Sequence, residues 1–143
     1  MKTLKNEMTC RFSALSENES FARSLAVSFA SGASPTITQL ADIKCAVSEA
    51  VTNAIVHAYP DGGGTVTLSM KHYEGGLIVI AVKDNGIGIP DVTAAREPLY
   101  TTDTTGERSG MGFAIMESMM DKLAVRSKEG RGTTVTMKIK VGT

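Results

Sequence analysis

The sequence has little from which a disulfide framework or a zinc site could be built. It holds two cysteines and two histidines in 143 residues. Cys10 and Cys45 sit in apolar surroundings without CxxC spacing, which reads as two buried, reduced thiols. Two histidines are too few for a His/Cys zinc site. There is no excess of one charge, since 15 basic residues balance 15 acidic ones. A generally basic surface for gripping nucleic acid is therefore not indicated, and partners must be recognised by local patches and shape. No apolar run approaches the roughly 20 residues of a membrane span. No apolar stretch follows the charged start at residues 1–7 to make a leader. Internal repeats and low-complexity tracts are also missing. These absences leave a cytoplasmic protein as the expectation. A composition 42% hydrophobic and 21% charged is ordinary for a globular protein. The length suits one domain, 1–143, with one core.

Periodicity gives the order of elements. Residues 8–14 read as a first strand. Ser16 and Glu19 have the spacing of a capping box, with a helix to follow that has Phe21, Ala22, Leu25, Val27 and Phe29 available for burial. Gly32 and Pro35 end it. A second helix over 36–58 carries Leu40, Ile43, Val47, Ala50, Val51, Ala54 and Ile55 at three- and four-residue steps. The run from Tyr59 to Gly64 is a break. Residues 65–73 and 77–83 alternate around Glu74-Gly75-Gly76 and predict a hairpin. Residues 91–109 read as a lid, with a short helix over 92–96. A third helix over 112–121 and a hairpin of 123–127 with 133–141 complete the pattern. Hairpins imply mainly antiparallel pairing, and helices would cover one face. The expectation is an α/β (α+β) two-layer sandwich with a mixed, mainly antiparallel sheet.

Three pieces bear chemistry. Glu49 and Asn53 stand four apart on the second helix and so share a face. A carboxylate takes a proton from a hydroxyl, and an amide oxygen ligates Mg2+; the plain alternative is a solvated polar face. The run Asp84-Asn85-Gly86-Ile87-Gly88-Ile89-Pro90 directly follows a strand. Its glycines permit tight turns and close approach of a ligand, and its Asp can accept a hydrogen bond from an exocyclic amine; alone it equally describes a turn. Ser109-Gly110-Met111-Gly112-Phe113 opens a helix whose freed amides suit an anion. A lone Gly-x-Gly is weak, and this is neither a Walker A nor a Rossmann pattern.

Taken in order, these pieces resemble the Bergerat-type ATP-binding fold shared by gyrase, Hsp90, histidine kinases and MutL. Ser48-Glu49-Ala50-Val51-Thr52-Asn53-Ala54 and Arg108-Ser109-Gly110-Met111-Gly112-Phe113 look like the small anti-sigma factor serine kinases. Phe12 to Ser16 and Asn18 to Arg23 look like the sporulation branch of that family. The resemblance covers nearly the whole chain.

The resemblance implies a serine protein kinase that uses ATP with Mg2+ and retains ADP after transfer. Glu49 would be the general base and Asn53 the Mg2+ ligand. Asp84 would read the adenine amine, with Gly86, Gly88 and Ile89 shaping the base pocket. Ser109, Gly110, Met111, Gly112 and Phe113 form the phosphate turn, where backbone amides meet the phosphates, and Thr105 would share those contacts through its hydroxyl. Thr133 would sit near the adenine. Arg108 would stabilise charge on the transferred phosphate. The implied partners are sigma factor F, an anti-anti-sigma factor phosphorylated on serine, and a second copy in a homodimer. No direct nucleic acid contact and no membrane are implied. Ser20 to Ser24, with Arg23 projecting, is a candidate partner contact, and His57 stands either near the phosphates or as a helix cap. Two other readings stay open. One is the catalytic domain of a histidine kinase, although neither His57 nor His72 lies in a helical hairpin that such kinases need. The other is a nucleotide-switched sigma clamp without kinase turnover, which would have no use for Glu49.

Overall fold

The computed structural model describes residues 2–89 and 112–142. Within them the elements run β1 (Leu4–Ser13), α1 (Glu17–Ser31), α2 (Ile37–Val56), β2 (Thr65–Tyr73), β3 (Leu77–Asp84), α3 (Gly112–Met119), β4 (Lys122–Lys128) and β5 (Gly132–Lys140). Both expected hairpins form. β2 pairs with β3 and β4 with β5, and β1 lies against β2. β5 also pairs with β3, so the order is β1-β2-β3-β5-β4, and every pairing among the described residues is antiparallel.

Alternation fixes which face is covered. Val66, Leu68 and Met70 of β2, Ile78, Ile80 and Val82 of β3, and Val135, Met137 and Ile139 of β5 are buried on one side. The helices lie on that side, with α2 packed against both α1 and α3. The predicted stripe of α2 holds: Ile43, Val47, Ala50, Val51 and Ala54 are buried, and Leu40 and Ile55 pack partly against them. α2 opens on a true capping box. The Thr36 hydroxyl accepts from the Gln39 amide at 3.1 Å, and Gln39 Oε1 accepts from the Thr36 amide at 2.9 Å.

Three local expectations fail. Ser16 has helical dihedrals (φ −58°, ψ −30°) and makes no capping bond. Glu19, its expected partner, instead accepts from the Ser48 hydroxyl of α2 and pairs with Arg23 at 3.5 Å. Arg23 thereby leans on Glu19 one turn back, its side chain 34% exposed. Phe21 is not core: it is 73% exposed, while α1 buries Ala22, Ala26, Ala30 and Phe29. Small side chains let α1 lie close to α2, and a phenylalanine at position 21 faces away from that seam. Cys10 and Cys45 are free thiols, but half-buried, not buried. Burial first, and then the charges of Glu49 and Asp42, push the Cys45 thiol up, which disfavours a reactive thiolate.

Candidate functional site

The loop after β3 is tied down at both ends by backbone. The Ile87 amide donates to the Ala58 carbonyl just beyond α2 at 2.9 Å, and the Gly130 amide of the β4–β5 turn donates to the Ile87 carbonyl at 2.6 Å. The Ile89 amide donates to Ser127 Oγ at 2.7 Å. Ser127 in turn donates to the Gly132 carbonyl at 3.0 Å or shares its proton with Thr133 Oγ1 at 2.8 Å. The glycines make this closeness possible. A Cβ on Gly86 would stand 2.1 Å from the Ala58 carbonyl oxygen, inside any permitted contact. Tyr59 braces the other side, donating to the Thr65 carbonyl at 2.6 Å and accepting from the Asn85 amide at 2.8 Å.

Asp84 ends β3 opposite Thr133, at 6% exposure, and its Oδ1 accepts from the Gly86 amide at 2.9 Å. Burial pushes its carboxyl up, and backbone N–H groups of Gly86 and Thr133 draw it part of the way back. A folded-state value above the unfolded one makes the ionised carboxylate a destabilising element. The penalty is absent below the unfolded value of about 4 and complete above the folded one. Asp84→Asn is therefore expected to melt higher than the native protein at neutral pH. That advantage should shrink as pH falls toward about 4, as read by thermal melts without nucleotide. A constant difference across that range would show that the Asp84 charge is not its source.

Glu49 and Asn53 emerge half-buried from α2, as their spacing requires. The start of α3 is set directly against them. A Cβ on Gly112 would lie 3.1 Å from Asn53 Nδ2, 3.4 Å from Asn53 Oδ1 and 3.3 Å from Glu49 Oε2. A carboxylate, an amide oxygen and a glycine-opened helix start thus share one small volume. Such donors suit a hard cation and phosphate oxygens. Asp84, Gly86, Gly88, Ile89 and Thr133 line the ends of β3 and β5 on the same helix-covered side.

Residues 12–139 match the model of the histidine kinase-like ATPase domain. The anti-sigma F factor of Clostridium acetobutylicum is 52% identical over 137 residues, covering 96% of this chain and 95% of that protein. That of Geobacillus kaustophilus is 51% identical, covering 94% and 92%. The chain belongs to the anti-sigma F factor family of histidine kinase-like ATPases. Among solved structures, that of the RsbU and RsbW domains of Rv1364c from Mycobacterium tuberculosis matches 96% of this chain and 33% of its own, with a TM-score of 0.67 at 17% identity. That likeness concerns the fold alone.

In this anti-sigma F family chain the structure brings Glu49, Asn53 and Gly112 together, and Asp84, Gly86, Gly88, Ile89 and Thr133 form a second group. Phe113 packs partly buried against the core, so its backbone is what it has to offer a ligand. Thr105, Arg108, Ser109, Gly110 and Met111, with the expected lid and its short helix, lie outside the described residues. His57 caps the end of α2, its amide donating to the Asn53 carbonyl at 2.9 Å. Sequence reasoning missed Tyr59 and Ser127. Each is a single polar residue with no spacing signal, and each holds the Asp84 loop in place. Among the described residues no helix is long and apolar enough to cross a membrane.

Proposed function

We propose that the chain, as a single domain, is an ATP-dependent serine protein kinase that phosphorylates an anti-anti-sigma factor and otherwise holds sigma factor F inactive, acting in the cytoplasm as a homodimer. The observation that carries this reading is the placement of Gly112 within reach of both Glu49 and Asn53. A clamp that only senses nucleotide needs no proton acceptor beside the phosphate end of its site. The naming of the half-identical relatives as anti-sigma F factors supports the sigma-directed role.

Bound ATP with Mg2+ supplies the phosphoryl group, and the residues of this chain supply position and proton transfer. Asp84 would accept a hydrogen bond from the adenine amine, with Gly86 and Gly88 shaping the base pocket. Asn53 would hold Mg2+ through its amide oxygen. Gly110, Met111 and Gly112 offer backbone amides, with Ser109 and Thr105 adding hydroxyls. Glu49 takes the proton from the incoming serine, and Arg108 meets the charge that develops on the transferred group. Exposed Phe21 and Leu15 at the start of α1 suit a protein partner better than water.

The test is to incubate the protein with labelled ATP, Mg2+ and a candidate anti-anti-sigma factor, beside Asn53→Ala. Label on a partner serine is expected with the native chain, and about 100-fold less or none with the variant. Tight ATP binding without any transfer would leave the nucleotide-switched clamp.

A further inference from the structure

The strands place a concentrated positive charge on the sheet face that the helices leave uncovered. Cross-strand register sets Arg11, Thr67, Lys83, Thr134 and Arg126 in one row. Side-chain alternation turns this row away from the face that carries Asp84 and Thr133, their immediate neighbours. Lys128 follows Arg126 on the same side of β4, and Arg131 stands in the β4–β5 turn. Lys83, Arg126, Lys128 and Arg131 border an open cleft of about 260 Å³ that is also lined by Thr134 and, from the β3 and β5 ends, by Asp84, Gly132 and Thr133. All four cations are exposed. Among the described residues none of them is in an ion pair, the pair recorded there being Glu19–Arg23 on α1. The turn's own carboxylate, Glu129, is exposed beside them. In a chain whose charges sum to zero, this is local accumulation, not general basicity.

We infer that this cleft is a docking site for an acidic, extended segment of a partner protein. The charges are exposed, and the buried polar side chains that also line the cleft, Asp84 and Thr133, include a carboxylate that disfavours a single small anion. Their spacing suits a strand-like ligand. Residues two apart on a strand are about 6.7 Å apart, and adjacent strands lie about 4.8 Å apart. An extended segment with carboxylates at alternate positions repeats at the first of these intervals. Single-stranded nucleic acid fits less well, because base stacking needs aromatic platforms. Besides its cations, the outward residues of this row and the next are Thr67, Thr134, Thr9, Ser69, Ala81, Thr136 and Ala124, without a ring among them. The cleft meets the proposed nucleotide site at Asp84 and Thr133, which also line it, but the inference rests on the exposed cations of the uncovered face and not on that reading.

The test uses the full chain and a fluorescent octapeptide of alternating glutamate and threonine, followed by anisotropy at about 25 mM salt. Saturable binding is expected, weakening by about tenfold or more when Lys83, Arg126, Lys128 and Arg131 are all changed to Gln, as the loss of several exposed ion pairs predicts. The lesser pair Arg126→Gln with Lys128→Gln should weaken it by an intermediate amount. Melting temperatures would confirm that both variants fold. Lys122→Gln with Lys138→Gln, on the same face but beside Glu117 and Asp121, should change it by less than about twofold. Absence of saturable binding would overturn the proposal. An equal loss from the distal pair would also overturn it, showing diffuse attraction instead of a site. Tighter binding of an oligothymidylate of equal length would replace the acidic segment with nucleic acid.

Discussion

Replacing Glu49 by alanine is expected to slow serine phosphorylation by about 10²- to 10⁴-fold while leaving nucleotide affinity within about threefold. The two readouts separate because the residues sit in different groups. Asp84 and the glycines after it shape the proposed adenine site, whereas Glu49 stands on α2 beside Gly112. Asn53, one turn beyond Glu49, keeps its amide oxygen for the proposed Mg2+ whatever stands at position 49. Glu49→Gln sharpens the test, since it preserves size and hydrogen-bonding reach but cannot take a proton. Both variants should lose turnover to a similar extent, as measured by single-turnover transfer from labelled ATP alongside nucleotide titration. Transfer at the native rate in either variant would remove Glu49 from the role of base.

Gly88→Ala is expected to cost about 2–4 kcal/mol of stability, with loss of nucleotide binding. Gly88 has φ +77°, and a Cβ there would meet the Lys128 carbonyl oxygen at 2.3 Å and the Glu129 Cα at 3.0 Å. Both obstacles are backbone of the β4–β5 hairpin and cannot rotate aside. Relief requires the loop to lift away, breaking the bonds that Ile87 and Ile89 make with Gly130 and Ser127. Gly130 makes the comparison internal to the same turn. It has φ +80°, but nothing lies within 4 Å of a Cβ there, so Gly130→Ala carries only the left-handed backbone penalty of about 1–2 kcal/mol. Denaturant melts of the two variants should rank in that order. Equal losses would mean that the contact with Lys128 is not what demands glycine.

The contrast between what could and could not be anticipated is one of range. The β2–β3 hairpin was legible because alternation and Glu74-Gly75-Gly76 act over a few residues. The α2 stripe was legible because its period repeats over five turns. The Glu49–Asn53 pairing follows from helix geometry alone. Ser16 misled because its box partner, Glu19, is claimed by Ser48, 29 positions away, and nothing near Ser16 reveals that competitor. Phe21 misled because hydrophobicity favours burial, whereas the close approach of two helices favours alanine, and their spacing is not written in either helix. The arrival of Gly112 beside Asn53 depends on how α3 crosses α2, a long-range result. In the site, therefore, residue types and spacing were readable, while the bracing by Tyr59 and Ser127 was not.

The position of β5 also sets a timetable for synthesis. Of the described strands it is the last to leave the ribosome, yet it lies inside the sheet, between β3 and β4. Until it emerges, the nascent chain can assemble only the three-stranded piece β1-β2-β3, with the β3 edge open and Ile78, Ile80 and Val82 short of their cross-strand neighbours. β4 has no partner at all during that interval. Thr133, which faces Asp84, arrives on the same late strand. The pairing of Asp84 with Thr133 is thus complete only after every other described strand has been made.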